Sequence, residues 1–178
     1  MPRVLAVDWG ERRIGLAVCD PTGTIASGLD TLVVHSPAEG VRRVLEAIAE
    51  VEADSVVVGL PLLLSGERGE AANAASAFAA SVREASGLPV HEYDERLTSA
   101  LSTRRMHERG ESGGKGKGKS RVDQGAAIAL LESWLMRLSH EARRAAEATA
   151  GPDDPKHDGA TQQDGATQQD GAGGADLP

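Results

Sequence analysis

The chain has 178 residues, 26% of them charged, and a formal net charge of −8. That length suffices for one ordinary domain with a real core. Cys19 is the single cysteine, which excludes an internal disulfide, and no apolar run approaches the roughly 20 residues that span a bilayer.

The charge is unevenly spread. From position 151 the sequence is GPDDPKHDGATQQDGATQQDGAGGADLP, with six Asp against Lys156, a net of −5 that leaves −3 for the remainder. This segment repeats the hexad DGATQQ at 158–163 and 164–169 and holds no large apolar residue but Leu177. It cannot bury enough surface to offset the entropy of ordering, so residues 149–178 are expected to form a disordered acidic tail behind a domain of residues 1–148. The opposite bias lies between Arg96 and Arg121, where eight basic residues stand against Glu108 and Glu111. A local positive field of that kind suits a polyanionic partner. No signal-peptide apolar region opens the chain, so the expectation is a cytoplasmic protein without a membrane anchor.

In chain order, the run 3–8 (RVLAVD) and the run 15–20 (GLAVCD) are strand-like, with Gly10 and two arginines between them, and 24–34 supplies a third strand, together a β-meander. Ser36-Pro-Ala-Glu39 is a capping box with Pro at the first helical position, and Val41, Val44, Leu45, Ile48 and Val51 follow at helical spacing. Ser55-Val-Val-Val-Gly59 is continuously apolar, as a strand buried on both faces must be. Residues 70–85 are Ala-rich and helical, Val90 to Asp94 is a further strand, a helix is expected over 98–107, and a long helix over 121–148. The order implies a mixed five-stranded sheet with helices on both faces, an α/β domain whose chemistry lies beyond the C-terminal ends of its strands.

The stretch GGKGKGKS at 113–120 fits the phosphate-loop pattern letter for letter. Its context does not. No strand can be made of the residues before Gly113, and no acid-ending strand lies downstream. The better reading is a basic, Gly-rich loop whose Lys115, Lys117 and Lys119 contact a nucleic-acid backbone, because such contacts are electrostatic and need little geometry.

Three carboxylates stand out by position. Asp8 ends the first strand, Glu95 follows the strand HEYD, and Asp123 lies in the first turn of the last helix on the stripe of Ala127, Leu130, Leu131, Trp134 and Leu138. Each also has an ordinary explanation: a turn acid, an exposed charge, and a capping or helix-dipole acid. Together, with a basic loop between two of them, they point to a hard-cation site, for which oxygen ligands are required.

The blocks VLAVDWGERRIGLAVCD, VVVGLPLLLSGERGEAA, YDERLTS and KGKSRVDQGAAIALLESWL resemble the four signature blocks of the YqgF/RuvX family, in order, over residues 3 to about 138. The resemblance implies a ribonuclease H-like fold and a metal-dependent endonuclease acting on structured nucleic acid. It implies Asp8, Glu95 and Asp123 as catalytic, metal-binding acids for two Mg²⁺ or Mn²⁺ ions, with Asp8 between them. Arg12, Arg96, Lys117 and Lys119 become positions for backbone contact. The 5′ end of pre-16S rRNA is the favoured substrate. A four-way DNA junction is the alternative, for which two sites and hence a homodimer are needed. A non-catalytic ribosome-maturation module and an actin-like ATPase are the competing functions. Two departures stand out: Leu62-Leu-Leu-Ser-Gly66 replaces a more polar family segment, and Ala126 stands where related resolvases carry a fourth acid. Aromatic residues make up only 2% of the chain, so recognition of backbone and shape is expected over base stacking.

Overall fold

The computed structural model describes residues 2–98 and the final helix at 118–149, with side chains in that helix from Gln124 onward. The expected helix over 98–107, Lys115, Lys117 and the 149–178 tail boundary therefore lie outside the described residues, apart from Thr149 as the last residue of the helix.

Six strands form one sheet: β1 Val4–Trp9, β2 Arg13–Cys19, β3 Ala26–Gly28, β4 Leu32–Val33, β5 Ser55–Leu60 and β6 Val90–Asp94. The order is β3-β2-β1-β5-β6, with β4 also paired to β2. The β1–β2 and β2–β3 pairs are antiparallel, whereas β1–β5 and β5–β6 are parallel. The expected third strand is thus two short pieces sharing one position beside β2. At Gly28 the last helix comes so near that an added Cβ would lie 3.1 Å from Ile128 Cδ1. There the chain leaves regular pairing and resumes at Leu32.

Strand alternation divides the core in two. Leu5 and Val7 of β1, Leu16 of β2 and Val56 and Val58 of β5 face one layer. Helix α1 (Pro37–Glu50) and helix α2 (Glu70–Ser86) cover it with Val44, Ile48, Phe78 and Val82. Val4, Ala6, Ala17 and Val57 face the other, covered by helix α3 (Gly118–Thr149) through Ala127, Leu130, Leu131 and Trp134. Central strands with apolar side chains on both faces account for the unbroken VLAV and VVV runs. Truncating Leu131, fully buried, to Ala costs on the order of 2–5 kcal/mol.

The capping box at α1 forms, with a shift of one residue in its return contact. Ser36 Oγ accepts from Glu39 N–H at 3.2 Å, while Glu39 Oε2 accepts from His35 N–H at 2.9 Å. Helix α2 ends at Gly87, whose φ of 69° is the left-handed conformation glycine adopts without strain. Cys19 is buried, as expected, and its sulfur accepts the Val4 N–H at 3.1 Å. Among the described residues no helix is long and apolar enough to cross a membrane.

Candidate active site

Asp8 and Glu95 stand at the C-terminal ends of the parallel strands β1 and β6, with Gly59 near the same end of β5 between them. Asp8 is the fifth residue of β1 and shares the parity of Val4 and Ala6, so its side chain leaves the sheet on the α3 face. It pairs with Gly15 of β2, a neighbour without a side chain to crowd it. The Asp-x-Gly spacing is explained one step further on. A Cβ at Gly10 would sit 2.8 Å from the Arg13 carbonyl oxygen, so the tight return into β2 requires glycine.

Glu95 opens a single 3₁₀ turn, Glu95–Leu97, directly after β6. Asp94 caps that turn by accepting the Arg96 N–H at 3.0 Å, and Thr98 closes it through Oγ1 donating to the Glu95 carbonyl at 2.6 Å. The turn throws the Glu95 side chain back over β5. It lies against Gly59, which has the parity of Val57 and so also faces α3. Asp8 and Glu95 therefore meet on one face. The Glu95 carboxyl is pushed up to about 7, first by burial, then by the negative charges of Asp8 and Asp94. Asp94 moves the other way: the Arg96 hydrogen bonds hold it below the usual carboxylate range.

Arg96 spends its donors locally. Nη2 lies 2.7 Å from Asp94 Oδ2, and Nη1 reaches the carbonyls of Leu63 and Leu64 at 3.4 and 3.3 Å. It ties the loop after β5 to the site. Arg12 is exposed on the β1–β2 turn, whose carbonyl at Arg12 accepts from Val34 N–H at 3.0 Å. It borders a cavity of about 770 Å³ between α1 and α2, on the sheet face opposite Asp8.

Asp123 lies in the second turn of α3, and Lys119 in its first, on a helix that begins at Gly118 rather than at 121. The neighbouring Gln124 fixes the level of this segment on the sheet. Its Nε2 donates to the Leu29 carbonyl at 2.9 Å, and Leu29 N–H donates to the Leu16 carbonyl, next to Gly15, the partner of Asp8. The backbone at 123–124 thus stands at the Asp8 end of the sheet. Among the described residues no three acid, His or Cys side chains converge as a metal cage. The described pair is Asp8 and Glu95, two carboxylates crowded on one face, a donor set that fits a hard cation.

The sequence reading takes Gly59 as the end of a strand, which it is to within one residue, but not as the seat of Glu95. It also missed the bond from Arg96 to the Leu63–Leu64 carbonyls. The Asp-Glu-Arg order carried a signal for the local part, since an acid two residues before an arginine at a strand end is capping chemistry.

The solved structure of T. thermophilus RuvC in complex with a Holliday junction substrate superposes with a TM-score of 0.53 at 21% identity, covering 78% of this chain and 97% of that one. Sheet order, helix placement and this likeness define the fold as ribonuclease H-like. The family described as "RuvX: Holliday junction resolvase" matches residues 2–137, and the chain belongs to it. A protein of Rhodococcus erythropolis with the name "Putative pre-16S rRNA nuclease" is 41% identical over 140 residues, 75% of this chain and 77% of that one. One of the same name from Koribacter versatilis is 41% identical over 135 residues, 76% and 87% of the two chains. The chain is accordingly a nuclease, a hydrolase with a nucleic-acid substrate.

Proposed function

We propose that the chain is a divalent-metal-dependent endonuclease that processes the 5′ end of pre-16S rRNA in the cytoplasm, with Asp8, Glu95 and Asp123 as its metal-holding acids. The observation that carries the metal is the pairing of Asp8 with Glu95. Burial and a neighbouring negative charge favour the neutral form of Glu95, and a cation on the same face removes that penalty. Asp8, Glu95 and Asp123 would hold Mg²⁺ or Mn²⁺, which would supply a more nucleophilic water and charge stabilisation for the leaving oxygen of a phosphodiester. The chain's own residues do the rest. Gly59 and the 3₁₀ turn orient the Glu95 carboxylate, and Asp94 is kept ionised by Arg96. Arg12 and Lys119, with Lys115 and Lys117, contact the phosphate backbone.

The RNA substrate rests on the names of the relatives at about 40% identity. The description of the family favours a second reading, resolution of a four-way DNA junction by a homodimer. Mass in solution separates a monomer from a dimer. Depletion in cells separates the substrates: a 5′-extended 16S precursor accumulates under the first reading, and recombination fails with normal rRNA under the second. For the nuclease reading itself the test is Asp8→Asn. Mn²⁺-dependent cleavage of structured RNA drops at least a thousandfold, by about 4 kcal/mol of barrier, while binding persists. Undiminished cleavage by the variant, purified free of host nuclease, overturns it.

A further inference from the structure

Six large apolar side chains are left open to water among the described residues. Three of them, Leu63, Leu64 and Leu97, sit on the two segments that frame Glu95, with Leu64 97% exposed. The other three, Ile25, Val33 and Met136, lie on other elements. Leu97 ends the 3₁₀ turn that Glu95 begins. Leu63 and Leu64 lie just beyond β5, the strand whose Gly59 seats the Glu95 carboxylate.

The Leu64 side chain projects from a built turn. Leu63 N–H donates to the Glu67 carbonyl at 3.0 Å, and Gly66 N–H donates to the Leu63 carbonyl at 2.8 Å. Gly66 has a φ of 93°, which closes the turn in a conformation that side-chain-bearing residues rarely adopt. Arg96 Nη1 then fastens the carbonyls of Leu63 and Leu64 to the segment that carries Glu95. Leu62, the neighbour, turns inward beside Leu60 and Ala72. The fold thus half-buries one leucine of the run and presents the next two at the rim of the site.

We propose that Leu64, backed by Leu63 and Leu97, is an apolar wedge that enters the base stack of the nucleic-acid substrate where paired strands part, beside the scissile phosphate. The inference rests on the nuclease reading above and adds how the substrate is recognised. Aliphatic side chains part base steps in this way in proteins that kink or open a duplex. No described aromatic competes for the task. Trp9 packs on Phe78, and Tyr93 and Trp134 are buried against each other. Three side chains are far too few for a stable protein interface, which needs roughly 800 Å² from each partner, but they match the size of one base step. The substrate class is a nucleic acid with a boundary between duplex and single strand, read by shape and not by sequence.

The test uses the full chain with Ca²⁺ in place of Mg²⁺. The probe is a branched RNA carrying 2-aminopurine at the last paired step, with a single strand of equal length for comparison. The wild-type chain raises the 2-aminopurine fluorescence. Leu64→Ser abolishes the rise and lowers the preference for the branched over the single-stranded probe about tenfold or more, the change expected from removing one buried leucine contact. Leu64→Met restores both. An equal rise and an equal preference in Leu64→Ser overturn the wedge. So does an unchanged nucleic-acid response combined with lost association with precursor ribosomal particles, which would assign the leucines to a protein. Absence of metal-dependent cleavage by the wild type with the Leu64-dependent rise intact upholds the wedge and sinks the nuclease reading alone. The melting temperature of Leu64→Ser, a substitution at an exposed position, stays at the wild-type value and shows that the fold is kept.

Discussion

The Glu95 carboxylate lies across the backbone of Gly59, so near that a Cβ on residue 59 would meet the side chain of Glu95 at 2.4 Å. A strand end without a side chain is what lets a half-buried acid from the turn after β6 reach the face of Asp8. Gly59→Ala therefore moves the carboxylate while leaving the fold intact, because the obstructing atoms are the far end of a flexible side chain. Nuclease activity is expected to fall at least tenfold, about 1.4 kcal/mol of barrier. The melting temperature is expected to hold or rise slightly, since the displaced carboxylate escapes both burial and Asp8. Cleavage rates and thermal unfolding of the same preparation check both halves.

The titration of Glu95 gives the second prediction. Its carboxyl moves from an ordinary 4.5 to about 7 in the folded, metal-free chain. Between those values the folded chain keeps a proton that the unfolded chain has released, so stability contributed by Glu95 falls as pH rises from about 4.5 to about 7. Glu95→Gln removes the dependence, and the melting temperature of the variant gains on the wild type across that window. A parallel pair of melting curves excludes the effect.

Metal binding reverses the sense. A cation must displace the Glu95 proton below about pH 7, so Mn²⁺ affinity is expected to fall roughly tenfold for each pH unit lost there. In Asp8→Asn one cause of the raised value disappears, and Glu95 titrates at lower pH. Calorimetric Mn²⁺ titrations at several pH values, with carboxyl NMR of the variant, read both shifts.

Much of this site is legible in the sequence, and the limits have physical causes. Asp8 and Gly10 announce themselves, because a buried strand ending in an acid and a glycine leaves few alternatives. Glu95 is legible only as an acid after a strand. Its seat on Gly59 depends on how two parallel strands lie side by side, which no local pattern encodes. Arg96 reads as a phosphate contact from charge alone, yet its described bonds go to Asp94 and to the Leu63 and Leu64 carbonyls. The split of the third strand depends on α3 crossing at Gly28, a contact between residues a hundred positions apart in sequence. Periodicity, by contrast, carries α1, α2 and the apolar stripe of α3, because helix faces repeat locally.

The Arg96 strap yields a prediction of its own. Arg96→Gln removes the hydrogen bonds that hold Asp94 below the usual carboxylate range, so Asp94 titrates upward. Global stability changes little, because the pair is exposed and screened. The loss appears instead in the turn at 63–66, where amide exchange of Gly66 accelerates, and in activity that declines at higher pH than in the wild type. Arg96→Lys retains the charge without the forked geometry and restores the Asp94 titration more fully than the turn.

Under the proposed function the lysines at 115, 117 and 119 supply charge to a phosphate backbone, a role that needs little geometry. Each phosphate neutralised by a lysine releases a counterion, which adds roughly 0.7 to 0.9 to the slope of log affinity against log salt. Replacing all three with Gln is expected to lower that slope by about 2 to 3 and to weaken substrate binding most at low salt. Mn²⁺ affinity, which the proposed function assigns to Asp8, Glu95 and Asp123, is expected to stay near the wild-type value. Binding isotherms at four salt concentrations measure the slope, and an unchanged slope assigns the basic segment no part in holding the backbone.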